Sequence, residues 1–158
     1  MISEREANGL RRSPFIELTE NEILFVKEEI NALGADMSVF RFNQGRSTSY
    51  VDDDDVIFIK GNIFPNVSSA HPRDLMSVRA VLAHEYYGHR QFRNTAAKRS
   101  SWNDEFRASY SAAKTAPNLT KEDRRLLILD ALQRAKDAGV KIIYNSFIRR
   151  VLYGDDYA

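Results

Sequence analysis

Apolar and polar positions repeat with two different periods in this chain, and the change of period divides it into regions. From Thr19 onward Ile23, Val26, Ile30 and Leu33 recur at the spacing of one helix face. Thr19-Glu20-Asn21-Glu22 has the form of a capping box, a hydroxyl N-cap with Glu three residues on. Gly34 is a plausible stop. The period then falls to two, with Phe40 and Phe42 alternating with Arg41 and Asn43, as in a strand. Asn43-Gln44-Gly45-Arg46 reads as a turn and Ser47–Val51 as a weaker strand. Val56–Ile59 is wholly apolar and reads as a strand buried on both faces. Between the last two strands stands Asp52-Asp53-Asp54-Asp55. A solvated turn is the simpler reading of that run, because oxygen-ligand cation loops space their acids at alternate positions and include a glycine.

After a loop from Gly61 to His71, helical spacing returns. A long helix is predicted from about Asp74 to Phe92, and a polar link runs from Arg93 to Ser100. A second helix runs from Ser101 to about Thr115, ended by Pro117. Thr120 with Asp123 opens a third, carrying Leu126, Leu129 and Leu132 until Gly139. Lys141–Tyr144 reads as a brief strand, and Asn145 caps a last helix through Phe147, Ile148, Val151 and Leu152. No internal repeat interrupts the pattern. The fold class expected is α+β, with a small sheet of about three strands packed on a bundle of about five helices. It occupies residues 19–158 as one domain, after a flexible lead-in at residues 1–18.

Composition narrows the choice. The 158 residues suit one ordinary domain, and 43% hydrophobic with 28% charged residues excludes a disordered tail or a membrane protein. Twenty-three Lys and Arg against 22 Asp and Glu leave a charge of +1, which argues against a nucleic-acid partner. The absence of cysteine excludes disulfides, Cys-ligated zinc, iron–sulfur clusters and thiol catalysis. No apolar run approaches the ~18 residues of a membrane span. Met1–Pro14 is polar and lacks the apolar core of a secretory signal. The expectation is a cytoplasmic protein, one exported without a classical signal peptide, or a fragment of a longer chain.

Two of the three histidines lie in His84-Glu85-Tyr86-Tyr87-Gly88-His89, the H-E-x-x-H zinc helix with one residue added. At five residues apart the imidazoles diverge by about 140° around a regular helix. One π-type turn would bring them to the same face, and such turns often mark functional sites. Gly88 lies inside that turn, where a missing Cβ eases backbone deformation. A third ligand is available in Glu105, about one turn into the next helix, because helices joined by a short link tend to pack antiparallel. Two imidazoles, one carboxylate and an open position make a catalytic zinc geometry. Asp104 competes with Glu105 as a shorter ligand about 100° away around the helix. Asp104 and Arg107 are also candidates to orient the ligands from behind.

His84-Glu85-x-x-Gly88-His89 resembles the variant zinc motif of the dipeptidyl peptidase III family. Asp104-Glu105-Phe106-Arg107-Ala108 resembles that family's second motif, in which the second acid is a zinc ligand. Phe106 stands in place of Cys, Ser109 in place of the closing acid, and the gap between the motifs is much shorter. The resemblance covers about residues 80–110. It implies a zincin-like, gluzincin-type metallopeptidase with Zn2+ on His84, His89 and Glu105, and a peptide or protein as substrate. Compact domains of this kind also form the toxic tips of bacterial secreted toxins. Glu85 would be the general base. The oxyanion donor is open among Tyr110, Tyr86, Tyr87 and His71, with Tyr110 preferred. A strand edge at Ser47–Val51 or Val56–Ile59 would hold an extended peptide. The rival readings are a non-catalytic helical interaction domain and a metal-dependent nuclease. Metal content discriminates the first and nucleic-acid digestion the second. The basic residues of the C-terminal helices, Arg134 among them, read as a solvated face offset by acids such as Asp130.

Overall fold

The computed structural model describes residues 11–66, 72–93 and 101–154. Among the described residues the fold is α+β, a three-stranded mixed sheet with five main helices. Helix α1 is Glu20–Ala32. It starts at the expected capping box, Thr19 Oγ1 accepting from Glu22 N at 3.2 Å and Glu22 Oε1 accepting from Thr19 N at 2.9 Å. Its face of Val26, Ile30 and Leu33 is wholly buried. Burial of each such side chain is worth about 1.5–3 kcal/mol.

Strands β1 (Phe40–Phe42), β2 (Ser49–Val51) and β3 (Val56–Ile59) pair in the order β1-β3-β2. β1 runs parallel to β3, with Phe40 opposite Ile57, and β2 runs antiparallel, with Tyr50 opposite Ile57. β3 is central, yet only Ile57 and Ile59 are fully buried, while Val56 and Phe58 are partly covered. The expectation of two buried faces is therefore corrected. The helices cover one face, and the turn after β1 covers part of the other. Gly45 backs directly onto Phe58 there, and a Cβ built at this left-handed position would lie 2.6 Å from the ring.

The predicted long helix from Asp74 is broken. A single turn, Pro72–Leu75, precedes helix α2, Val78–Ala83. Ser77 makes the break, its Oγ accepting from Ala80 N at 3.1 Å and donating to Asp123 at 2.6 Å. A hydroxyl N-cap starts a new helix more readily than it continues an old one. Helices α3 (Trp102–Thr115), α4 (Lys121–Asp137) and α5 (Ser146–Tyr153) follow, N-capped by Ser101, Thr120 and Asn145. Lys141–Tyr144 forms no strand, and Ile143 is 90% exposed.

The lead-in is also revised. Residues 1–10 lie outside the described residues, but 11–18 are held in place. The Arg11 guanidinium donates to the carbonyls of Asn62, Ile63 and Met76 at 2.8, 2.9 and 3.0 Å, and Leu18 is buried. Among the described residues, no helix is long and apolar enough to cross a membrane.

Candidate metal centre

α2 does not end at Ala83 but changes winding, and His84–Arg90 is a π-helix. Gln91 N donates to Tyr86 O, five residues back, at 3.1 Å. In this winding residues five apart share a face. The His84 and His89 ring centroids are 4.7 Å apart with an interplanar angle of 84°. Gly88 is required for a different reason from the one the sequence suggests. Its φ is not positive, so the backbone does not need a glycine's freedom. It touches α3 instead, and a Cβ there would sit 2.7 Å from Ala108 Cα and nearer still to the Ala108 carbonyl oxygen. The missing side chain lets two helices meet backbone to backbone.

That contact aligns the two motifs. His84 meets Ser109, Gly88 meets Ala108, and His89 meets Glu105, which is an antiparallel order. Glu105 stands between the imidazoles. Its Oε2 is 3.0 Å from His84 Nε2 and its Oε1 is 3.2 Å from His89 Nε2. Each imidazole thus meets a different oxygen of the one carboxylate, at hydrogen-bond separation. Among the described residues, two groups of three side chains have ligand atoms within 4.8 Å of one another. They are His84, Glu85 and His89, and His89, Asp104 and Glu105.

Asp104 and Glu105 touch different nitrogens of His89. Asp104 Oδ2 lies 3.5 Å from the far nitrogen of His89, Nδ1, and so stands behind the imidazole. Arg107 reaches the other oxygen of Asp104, also at 3.5 Å. Glu85 is buried, and its Oε1 accepts the Tyr50 backbone N–H of β2 at 3.2 Å. His84, Glu85, His89, Asp104 and Glu105 line a cavity of about 320 Å³ together with Tyr50, Arg93 and Arg134. Asp55 anchors the β2–β3 turn to the π-helix by pairing with Arg90 at 2.9 and 3.1 Å.

Three of the four candidate oxyanion donors bond away from the cavity. Tyr110 is not among the cavity residues, and its hydroxyl accepts from Asn145 Nδ2 at 2.9 Å at the start of α5. On a regular helix Tyr110 lies about 140° around from Glu105, whereas Ser109, four residues on, shares its face. Tyr86 and Tyr87 bond to the end of α1, at Asp36 N and Leu33 O. His71 lies outside the described residues. The sequence also hid two residues behind the site. Asp130 is wholly buried, and Arg134 is partly buried and bridges Asp130 Oδ1 at 3.3 Å to Glu105 Oε2 at 3.4 Å. One signal was available, since Asp130 interrupts the stripe of Leu126, Leu127 and Ala131 on α4.

The charges are strongly coupled. Burial raises the Glu85 pKa, an effect partly offset by the two imidazoles. Burial disfavours the charged His89 ring, but the Glu105 hydrogen bond and the charges of Glu85, Glu105 and Asp104 outweigh it and raise the pKa to about 9. Burial acts to raise the Glu105 pKa, and the bonds to His84 and His89 overcome it, holding the carboxyl well below the usual range. In the metal-free protein the His89 contribution to stability is complete below its unfolded pKa near 6.5 and is lost as pH rises through about 9. The Glu105 contribution is present above its unfolded pKa near 4.5 and is lost in acid. A metal held by His89 would have to displace the proton of its ring. Its affinity is therefore expected to rise about tenfold per pH unit up to about pH 9 and then level off, as read by chelator competition. A flat profile between pH 7 and 9 would exclude His89 as a ligand. No family model matches the chain, and no curated protein or solved structure is significantly similar to it.

Proposed function

We propose that this protein is a zinc-dependent metallopeptidase with a zincin-like, gluzincin-type centre, as the His84-Glu85-x-x-Gly88-His89 resemblance implies. The observation that carries the reading is the meeting of His84 Nε2 and His89 Nε2 on the carboxylate of Glu105, beside the buried carboxylate of Glu85. His84, His89 and Glu105 would hold the ion. A bound zinc ion supplies a Lewis acid and lowers the pKa of water towards ~7. Glu85 takes the proton of the attacking water and passes it to the leaving amine. Its burial supports that role, because a raised carboxylate pKa brings the base nearer to neutral pH.

The peptide occupies the cavity over these groups, where Arg93 and Arg134 contribute positive charge. β3 is central and is not available for pairing. β2 is an edge strand, but its Tyr50 N–H is already taken by Glu85, so the edge is closed at that residue. The substrate is then held by the cavity rather than by a strand ladder along β2.

The test is metal analysis with cleavage of a peptide library. Purified protein is expected to hold about one zinc per chain. His84→Ala, His89→Ala and Glu105→Ala should each abolish stoichiometric zinc with loss of cleavage. Zinc content unchanged across all three variants would refute the assignment.

A further inference from the structure

We propose that Ser109 and Asp130 form a relay that fixes the tautomer and orientation of His84, placing a carboxylate behind this ligand at one remove. His84 Nδ1 lies 2.7 Å from Ser109 Oγ, and Ser109 Oγ lies 2.6 Å from Asp130 Oδ2. Ser109 and Asp130 are both wholly buried, and His84 nearly so. Counting protons settles the directions. A carboxylate only accepts, so the single hydroxyl proton of Ser109 goes to Asp130. The Ser109 oxygen can then only accept from His84, which must carry its proton on Nδ1. The lone pair of the neutral ring is left on Nε2, the nitrogen that faces Glu105 at 3.0 Å. Two acceptors at that distance require a cation between them, either a proton or a metal ion.

The two imidazoles are therefore backed in parallel ways. Asp104 stands directly behind His89, whereas Asp130 reaches His84 through a hydroxyl. The difference follows from geometry. Ser109 reaches His84 but carries a hydroxyl rather than a carboxylate, and α4 supplies the carboxylate from the next layer. Arg134 then closes a ring, joining Asp130 to Glu105. One turn of α4 thus sets both the orienting group of one ligand and the position of another. Hydrogen-bond partners of this kind typically change metal affinity by 10–100-fold. Ser109 and Asp130 are positioning residues and touch neither ion nor substrate.

The zinc part of the test rests on the function proposed above, and the tautomer part does not. Ser109→Ala is the deciding variant, because it leaves the Asp130–Arg134 pair intact. Side-chain 15N NMR of the metal-free protein should show His84 carrying a proton on Nδ1, in the bond to Ser109 Oγ. In Ser109→Ala the proton should move largely to Nε2, and zinc affinity by chelator competition should fall about 10–100-fold. Circular dichroism would confirm that the variant folds. If the wild type takes up no zinc but shows the Nδ1–H tautomer and its loss in Ser109→Ala, the relay stands and the peptidase reading falls. A wild-type ring with no proton on Nδ1, a protonation pattern unmoved in Ser109→Ala, or a zinc affinity within twofold of wild type would overturn the relay.

Discussion

Replacing Glu85 with Gln is expected to leave zinc uptake intact while lowering peptide hydrolysis by about 10²–10⁴-fold, the usual contribution of a general base. Gln keeps the shape and the oxygen that accepts the Tyr50 N–H from β2, so the local structure has no reason to move. It cannot accept the proton of water. A second effect follows from burial. The folded pKa of Glu85 is raised above its unfolded value, so ionising it at neutral pH costs stability, and that cost vanishes in acid. Metal-free Glu85→Gln should therefore melt higher than wild type at pH 7.5, with the gap closing near pH 4.5. Undiminished turnover in a zinc-loaded variant would remove Glu85 from the chemistry. A gap that widens in acid would contradict its buried, destabilised carboxylate.

Gly88→Ala should be the most damaging single-methyl change in the site. The new Cβ would collide with the backbone of Ala108, which cannot rotate away as a side chain can. Overpacking against rigid structure typically costs about 1–3 kcal/mol, and backbone-to-backbone overlap belongs at the upper end. Relief requires α2 and α3 to separate, and their separation is what holds His89 Nε2 at 3.2 Å from Glu105. We expect the melting temperature to fall and stoichiometric zinc binding to be lost together. Thermal unfolding and metal analysis of one preparation would decide it. Wild-type stability with full zinc content would show that the helices are not locked at this point.

Much of the scaffold was legible because it rests on local chemistry. The capping box at Thr19, the hydroxyl caps at Ser101 and Thr120, and the Asn145 cap all lie where the residue types demand them. The departures have local or packing causes. Ser77 divided a helix that apolar spacing alone would continue. Lys141–Tyr144 has an apolar pattern but no neighbouring strand to pair with it among the described residues. Tyr110 was favoured for its hydroxyl, yet its side of α3 faces α5.

The site divides in the same way. The sequence by itself determined which groups carry lone pairs and how they are spaced. A five-residue interval between His84 and His89 calls for π winding before they can share a face, and the structure has that winding. Only the tertiary structure decided which acid faces the imidazoles and which stands behind them. Asp104 and Glu105 are neighbours in sequence, and their roles follow from the rotation of α3 against α2. The same holds for Asp130 and Arg134, which a charge pattern reads as surface and burial makes part of the centre. Winding depends on spacing along one helix, whereas convergence depends on how several helices pack, and that information is spread over every buried contact between them.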